Sequence, residues 1–177
     1  LLQRRQQPLP LLVLVDVSGS MERYARLLLA FLHAATAPRN MGASVRRDVF
    51  AFGTGLTDLT PAFRLADTDA MLQVASRAIN DFAGGTRMGD SLAQLRQQHA
   101  RRLVGRRTLV LLISDGLDTG EPGVLAQELG WLRRHGGRLL WLKAFREAQV
   151  NSVYVESSKT WRRSFAFRPT SAGIEDH

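Results

Sequence analysis

The stretch Pro10-Leu-Leu-Val-Leu-Val-Asp-Val-Ser-Gly-Ser20 joins a continuous apolar run to a short polar loop. A run this apolar is typical of a strand buried on both faces, as in a parallel sheet. The loop places one carboxyl group and two hydroxyls after the carboxyl end of that strand, where open α/β sheets bind ligands. Taken alone the loop is weak evidence for a site, because Asp and Ser also cap helices and form turns.

Alternating strand and helix patterns follow this first strand. Predicted strands lie at 10–15, 44–52, 56–60, 108–113 and 138–143, and predicted helices at 24–32, 69–79, 88–102 and 122–135. In the first helix, apolar residues recur at helical spacing: Tyr24, Leu27, Leu28, Phe31 and Leu32. The order βαββααβαβ predicts an α/β fold with a doubly wound, mostly parallel sheet flanked by helices, of Rossmann-like type.

Composition narrows the classes of function. An apolar fraction of 45% over 177 residues indicates one folded domain, and no apolar run reaches the ~18 residues of a membrane span. The lack of cysteine excludes disulfides and thiolate metal sites, and it fits a cytoplasmic location. Because the chain begins with Leu1, we expect it to be part of a longer protein.

The net charge of +8 comes from 24 basic residues, all but two of them arginines. The Arg-Arg pairs are scattered, and no alternation of arginine with aromatic residues indicates a stacking platform for bases. We therefore expect no nucleic acid as a partner. An acidic protein surface fits the charge better.

Two later loops offer further oxygen ligands. Thr86 follows Gly84 and Gly85, and Asp115 follows the buried strand at 108–113. With Asp16, Ser18 and Ser20 they make a set of two carboxylates and three hydroxyls. Such a set suits a hard cation that takes six oxygens, Mg²⁺ first, with Mn²⁺ or Ca²⁺ as alternatives.

The motif D-x-S-x-S, a distal Thr and a distal Asp, in this order, resembles the metal-ion-dependent adhesion site (MIDAS) of von Willebrand factor type A (VWA) domains. Four stretches are similar to the CoxE-like bacterial family: Asp16-Val-Ser-Gly-Ser-Met21, Phe50-Ala-Phe-Gly-Thr54, Gly84-Gly-Thr-Arg-Met-Gly89 and Leu112-Ile-Ser-Asp-Gly-Leu-Asp118. The resemblance implies that Ser18, Ser20 and Thr86 bind the ion directly, and that Asp16 and Asp115 bind it directly or through water.

The resemblance also implies a function and a domain plan. It implies a protein-binding accessory factor, not an enzyme, that works with a MoxR-type AAA+ ATPase in metalloenzyme maturation or complex assembly, as for carbon monoxide dehydrogenase. Residues 1–145 would form the VWA domain. We expect 146–177 to be an atypical, poorly ordered tail in which 152–156 is a candidate strand. The family's usual N-terminal region and last helix are not recognisable in the sequence.

For two further residues the sequence leaves two roles open. Arg87 would contact an acidic partner or lie solvated on the surface, and Asp118 would orient a metal-bound water or cap its loop. The histidines are expected to be structural or solvated. The competing function is a magnesium-dependent phosphatase-like hydrolase with Asp16 as nucleophile. That chemistry also needs a second acid two residues on, where Ser18 stands.

Overall fold

A six-stranded sheet runs through the centre of the protein. The computed structural model describes residues 9–41, 45–79, 85–144 and 153–157. The strands are β1 (Leu11–Asp16), β2 (Arg47–Phe52), β3 (Leu56–Asp58), β4 (Leu109–Ser114), β5 (Arg138–Ala144) and β6 (Val153–Ser157). Their order is β3-β2-β1-β4-β5-β6, with the inner four parallel and both edge strands antiparallel. This confirms the predicted fold class.

The first strand lies in the middle of the sheet. β1 pairs with β2 on one side and β4 on the other, and all six of its residues are buried. Its continuous apolar sequence follows from this position, since helices cover both of its faces. Parallel pairing also brings the carboxyl ends of β1, β2 and β4 to one edge of the sheet. We call this edge the site edge.

Helices cover both faces of the sheet. They are α1 (Glu22–Ala35), α2 (Pro38–Met41), α3 (Thr60–Phe63), α4 (Thr68–Ala78), α5 (Met88–Gln98), α6 (Ala100–Leu103) and α7 (Pro122–His135). Buried residues of α1, α3 and α4 join the alternate strand residues of one face, and those of α5, α6 and α7 join the opposite face. The two hydrophobic cores are thus separated by the sheet, as in a doubly wound fold.

Most predicted elements are present, with local differences. Asp67 caps α4, since its Oδ1 accepts a hydrogen bond from the Ala70 N–H at 2.8 Å. The predicted helix 88–102 is divided at His99, whose ring packs against Phe50. Pro38 begins the short α2, where its fixed φ suits the first turn.

The side of α1 that faces the core differs from the apolar pattern in the sequence. Ala25, Leu29 and Leu32 are buried, whereas Tyr24 and Phe31 are exposed. The run 27–32 is apolar all round the helix, so periodicity could not decide which side packs on the sheet.

One predicted element near the end of the chain is present in the structure. β6 confirms the candidate strand at 152–156 to within a residue and pairs with β5. Residues 145–152 and 158–177 lie outside the described residues, and the predicted domain division at 145 stays a prediction. No helix of the described ranges is long and apolar enough to cross a membrane.

Candidate metal site

Asp16 ends β1 and is fully buried at the site edge, with none of its surface exposed. Its Oδ1 accepts a hydrogen bond from the Ser18 N–H at 2.9 Å, and its Oδ2 accepts one from the Ser114 hydroxyl at 2.7 Å. Burial raises the pKa of Asp16, these hydrogen bonds oppose the rise, and the nearby charge of Asp115 adds to it. A buried carboxylate with this surplus of negative potential favours a cation beside it.

The two serines of the first loop lie next to each other. Ser18 is buried, Ser20 is half-buried, and their hydroxyl oxygens are 3.3 Å apart. Neighbouring ligands of an octahedral Mg²⁺, each about 2.1 Å from the ion, are separated by roughly 3 Å. The pair is therefore spaced closely enough to share one ion.

Thr86 is held at the site edge by hydrogen bonds that join its segment to two other loops. The N–H of Arg87 donates to the carbonyl of Gly53, just after β2, at 2.8 Å. Thr119 donates both its N–H and its hydroxyl to the carbonyl of Thr86, at 2.8 and 2.9 Å. Thr86 is buried between them, at the start of α5.

Asp115 follows β4, and only one of its two carboxylate oxygens accepts a hydrogen bond. Its Oδ1 accepts from the Leu117 N–H at 3.0 Å, while its Oδ2 is buried with no hydrogen-bond partner. Gly116 has a φ of +83°, a conformation that side chains rarely adopt, and so it lets the loop turn directly after Asp115.

An oxygen-seeking divalent cation fits this set. Among the described residues no Lys, Arg or His forms an ion pair with Asp16 or Asp115, although the two carboxylates repel each other. The same part of the chain holds no cluster of three or more His, Cys, Asp or Glu side chains suited to a metal. The hydroxyls of Ser18, Ser20 and Thr86 would have to complete the shell, and Mg²⁺ accepts such neutral oxygens together with waters.

Asp118 has the contacts of a cap. Its Oδ1 accepts from the N–H of Met88, the first residue of α5, at 3.0 Å and from the N–H of Gly120 at 3.1 Å. Because Arg87 at the N-cap provides no side-chain cap, Asp118 does so from a distant loop. These contacts favour the capping interpretation over the orientation of water.

Arg87 lies at the rim of the site edge. Its side chain is exposed and approaches Asp90 at 3.7 Å, a pair that contributes little because both groups are solvated.

Two site residues were missed in the sequence. Ser114 supports Asp16, and its hydroxyl also accepts from the Gly116 N–H at 3.0 Å. Thr119 supports Thr86. The signal for Ser114 was a hydroxyl at the end of an otherwise apolar strand; Thr119 had none.

The described histidines have structural contacts, as predicted. His33 bonds to the Thr68 hydroxyl at 2.9 Å and the Leu65 carbonyl at 2.8 Å, and His135 stacks on Trp131. His177 lies outside the described residues.

Solved structures share this fold. A von Willebrand factor type A protein from Catenulispora acidiphila aligns with a TM-score of 0.53 at 22% identity, over 76% of this chain and 32% of its own. The manganese-loaded TRAP protein of Plasmodium vivax aligns with a TM-score of 0.56 at 20% identity, over 80% of this chain and 59% of its own. Proximal thread matrix protein 1 from the mussel byssus, with a zinc-occupied MIDAS motif, aligns with a TM-score of 0.53 at 18% identity. The alignment covers 77% of this chain and 37% of that protein. The chain thus spans less than two thirds of each of these structures.

The protein therefore has the VWA fold. The family model described as VWA domain containing CoxE-like protein matches residues 1–171, so the chain belongs to this family. No curated protein matches the sequence.

Proposed function

We propose that this protein is a metal-ion-dependent protein-binding domain whose ligands are Ser18, Ser20, Thr86, Asp16 and Asp115. The observation that carries the proposal is the buried, partnerless Oδ2 of Asp115 in the neighbourhood of the buried Asp16. Two neighbouring carboxylates without a basic partner destabilise the folded state unless a cation joins them.

The proposed site residues have different roles in binding the ion and the partner. The hydroxyls of Ser18, Ser20 and Thr86 carry no charge, so only the carboxylates of Asp16 and Asp115 offset the charge of a bound ion. A bound Mg²⁺ would offer a coordination position to a carboxylate from the partner protein. Because each oxygen of Asp16 already accepts one hydrogen bond, Asp16 would bind the ion through a water. Arg87, exposed at the rim, would meet acidic side chains around that carboxylate.

The finer part of the proposal concerns the partner. A MoxR-type AAA+ ATPase or a metalloenzyme client, in a pathway such as carbon monoxide dehydrogenase maturation, would supply the acidic ligand. Family membership and the net charge of +8 support this assignment. The cysteine-free composition supports a cytoplasmic setting.

Calorimetric titration with MgCl₂ tests the ion. The wild-type chain should bind one divalent ion, and Thr86→Ala and Asp115→Ala should each weaken binding at least tenfold. Asp69→Ala is the matched control, because Asp69 is an exposed acid on α4, remote from the site edge in the sequence and on another element. Equal affinity of all four proteins would contradict the proposed ligand set.

Capture of a purified MoxR-type ATPase tests the partner. Capture should require Mg²⁺, stop in EDTA, and fail for Thr86→Ala. Retention in EDTA would contradict metal-dependent docking.

The competing function, a magnesium-dependent phosphatase, predicts a different experimental result. The full burial of Asp16 disfavours nucleophilic attack on a bound substrate. Mg²⁺-dependent hydrolysis of a phosphate ester that Asp16→Asn abolishes would replace the binding function by the hydrolase.

A further inference from the structure

A cavity lies at the opposite edge of the sheet from the candidate metal site. Its volume is about 470 Å³, and its lining residues fall within 33–38, 45–47 and 63–68. These segments are the end of α1, the start of β2 and the connection from α3 to α4. Because β2 begins at Arg47 and ends at Phe52, beside Asp16, the cavity and the metal site are at opposite ends of this strand. We call this space the arginine cavity.

The charged groups that line the arginine cavity are all basic. They are Arg46, Arg47 and Arg64, and no carboxylate is among the described residues of the lining. Asp48 pairs with Arg46 at 2.9 Å, which leaves Arg47 and Arg64 without an ion pair in the described part of the chain. Asp67, on the same connection, is exposed and accepts a hydrogen bond at the start of α4. An anion in the cavity would therefore meet positive charge that no lining acid offsets.

The guanidinium of Arg47 is held in place by the fold itself. It donates two hydrogen bonds to Thr36 and one to the carbonyl of Phe63. A guanidinium has more N–H groups than these three bonds use, so Arg47 keeps donors that have no acceptor among the described residues. A planar donor group that is already fixed binds a carboxylate with little further loss of conformational entropy.

Much of the remaining wall is apolar. Ala37, Val45, Phe63 and Leu65 contribute to it. The ring of His33 also lines the cavity, but it packs edge-on against Phe63, 5.6 Å between centroids, and both of its nitrogens have hydrogen-bond partners. A bare inorganic anion would leave these apolar surfaces in water, whereas an anion with an apolar body would bury them and gain the hydrophobic contribution.

We propose that the arginine cavity binds a small organic acid that combines a carboxylate with an apolar body. The carboxylate would pair with Arg47 and Arg64, and the apolar body would lie against Phe63 and Leu65. Ala34 and Arg64 are exposed lining residues, so the cavity is open to solvent beside them. Its volume falls in the range of about 300–1,000 Å³ that is typical of sites for small molecules.

An NMR titration of the isotope-labelled full chain with phenylacetate tests the class of ligand. Phenylacetamide keeps the apolar body without the charge, and acetate keeps the charge without the apolar body. Phenylacetate should shift backbone amide signals within 33–37 and 63–68, and it should bind at least tenfold more tightly than either comparison compound. EDTA in all samples removes divalent ions, so that the candidate metal site cannot supply the contact.

Two arginine variants with the same change in net charge test the site. Arg64 and Arg77 are both exposed, but only Arg64 lines the cavity. Arg64→Gln should weaken phenylacetate binding at least tenfold, whereas Arg77→Gln should leave the affinity within twofold of wild type. Ala34→Trp, at an exposed lining position of α1, should also weaken binding because the indole would obstruct the opening. Circular dichroism should show that all three variants keep the fold.

Three results would overturn the proposal. Equal affinity of the wild type and Arg64→Gln would show that phenylacetate does not use the arginine cavity. Equal binding of phenylacetate and phenylacetamide would show that the cavity does not select an anion. Inorganic phosphate that binds as tightly as phenylacetate would exclude a role for the apolar wall. None of these results depends on a bound metal, so the proposal stands or fails separately from the proposed function.

Discussion

At the scale of single residues, the protein keeps a carboxylate in its interior by surrounding it with hydrogen-bond donors. Asp16 is fully buried, and Ser114 and the Ser18 N–H each donate to one of its oxygens. A buried charge without donors would destabilise the fold by several kcal/mol. Ser114 is thus part of the support of the candidate metal site, although it is not one of the proposed ligands.

Ser114→Ala should lower the free energy of unfolding by about 1–3 kcal/mol, because it leaves the Oδ2 of Asp16 without a donor in the interior. Urea denaturation without added divalent ions measures the change. Ser76→Ala, an exposed position on α4, is the control and should change stability by less than about 0.5 kcal/mol. An unchanged stability for Ser114→Ala would mean that water replaces the missing donor.

At the scale of elements, Arg47 joins two helix ends to the sheet. Its guanidinium donates to the carbonyl and the hydroxyl of Thr36, at 2.7 and 2.8 Å, and to the carbonyl of Phe63. It also lies over the Phe63 ring, 5.4 Å from the centroid, and burial lowers its pKa. The carboxyl ends of α1 and α3 carry partial negative charge that the cation offsets.

Arg47→Lys should destabilise the fold by about 1–3 kcal/mol, since an ammonium group cannot reproduce the planar fork that reaches both helix ends. Thermal and urea unfolding measure the loss. The adjacent Arg46→Lys is the matched control and should be nearly neutral, because Arg46 is about half exposed and pairs with Asp48. Equal losses at both positions would contradict the role of Arg47 at the helix ends.

The contact of α5 with α7 also constrains Thr86. A Cβ built at Gly89 would lie 2.9 Å from the backbone nitrogen of Leu125, so the helices approach closely only because Gly89 has no side chain. The first turn of α5, which Thr86 precedes, is therefore held by α7 as well as by Asp118.

Gly89→Ala should separate the two helices, destabilise the fold by about 1–3 kcal/mol and weaken Mg²⁺ binding. Gly123→Ala, in the first turn of α7, is the control because a Cβ there meets nothing within 4 Å. That variant should be neutral or more stable by up to about 1 kcal/mol, since alanine favours the helix. Unfolding curves and calorimetric titration of both variants separate the effect on the fold from the effect on the site.

At the scale of the whole molecule, a site that forms only in the folded state links ion binding to stability. The proposed ligands come from three loops, after β1, before α5 and after β4. The unfolded chain cannot bring these loops together. A bound ion therefore stabilises the folded state by mass action.

Mg²⁺ at a hundred times its dissociation constant should raise the free energy of unfolding by about 2.7 kcal/mol. Melting in Mg²⁺ against melting in EDTA measures the difference, which Asp115→Ala should abolish. Asp69→Ala should keep it. If the melting temperature of the wild-type protein did not change with Mg²⁺, the proposal that the folded state binds the ion would be contradicted.

The sequence by itself determined the strand alternation, the buried central strand and the loops that hold Asp16, Ser18, Ser20, Thr86 and Asp115. These features depend on local pattern: an unbroken apolar run marks a strand covered on both faces, and parallel strands end at one edge. Only the tertiary structure decided which side of α1 is buried, since its run 27–32 is apolar all round. It also revealed Ser114 and Thr119, whose partners are 98 and 33 residues away, and such contacts leave no periodic signal in the chain. The residues of the candidate site lie in loops that local sequence predicts, but the hydrogen bonds that position them follow from packing between distant elements.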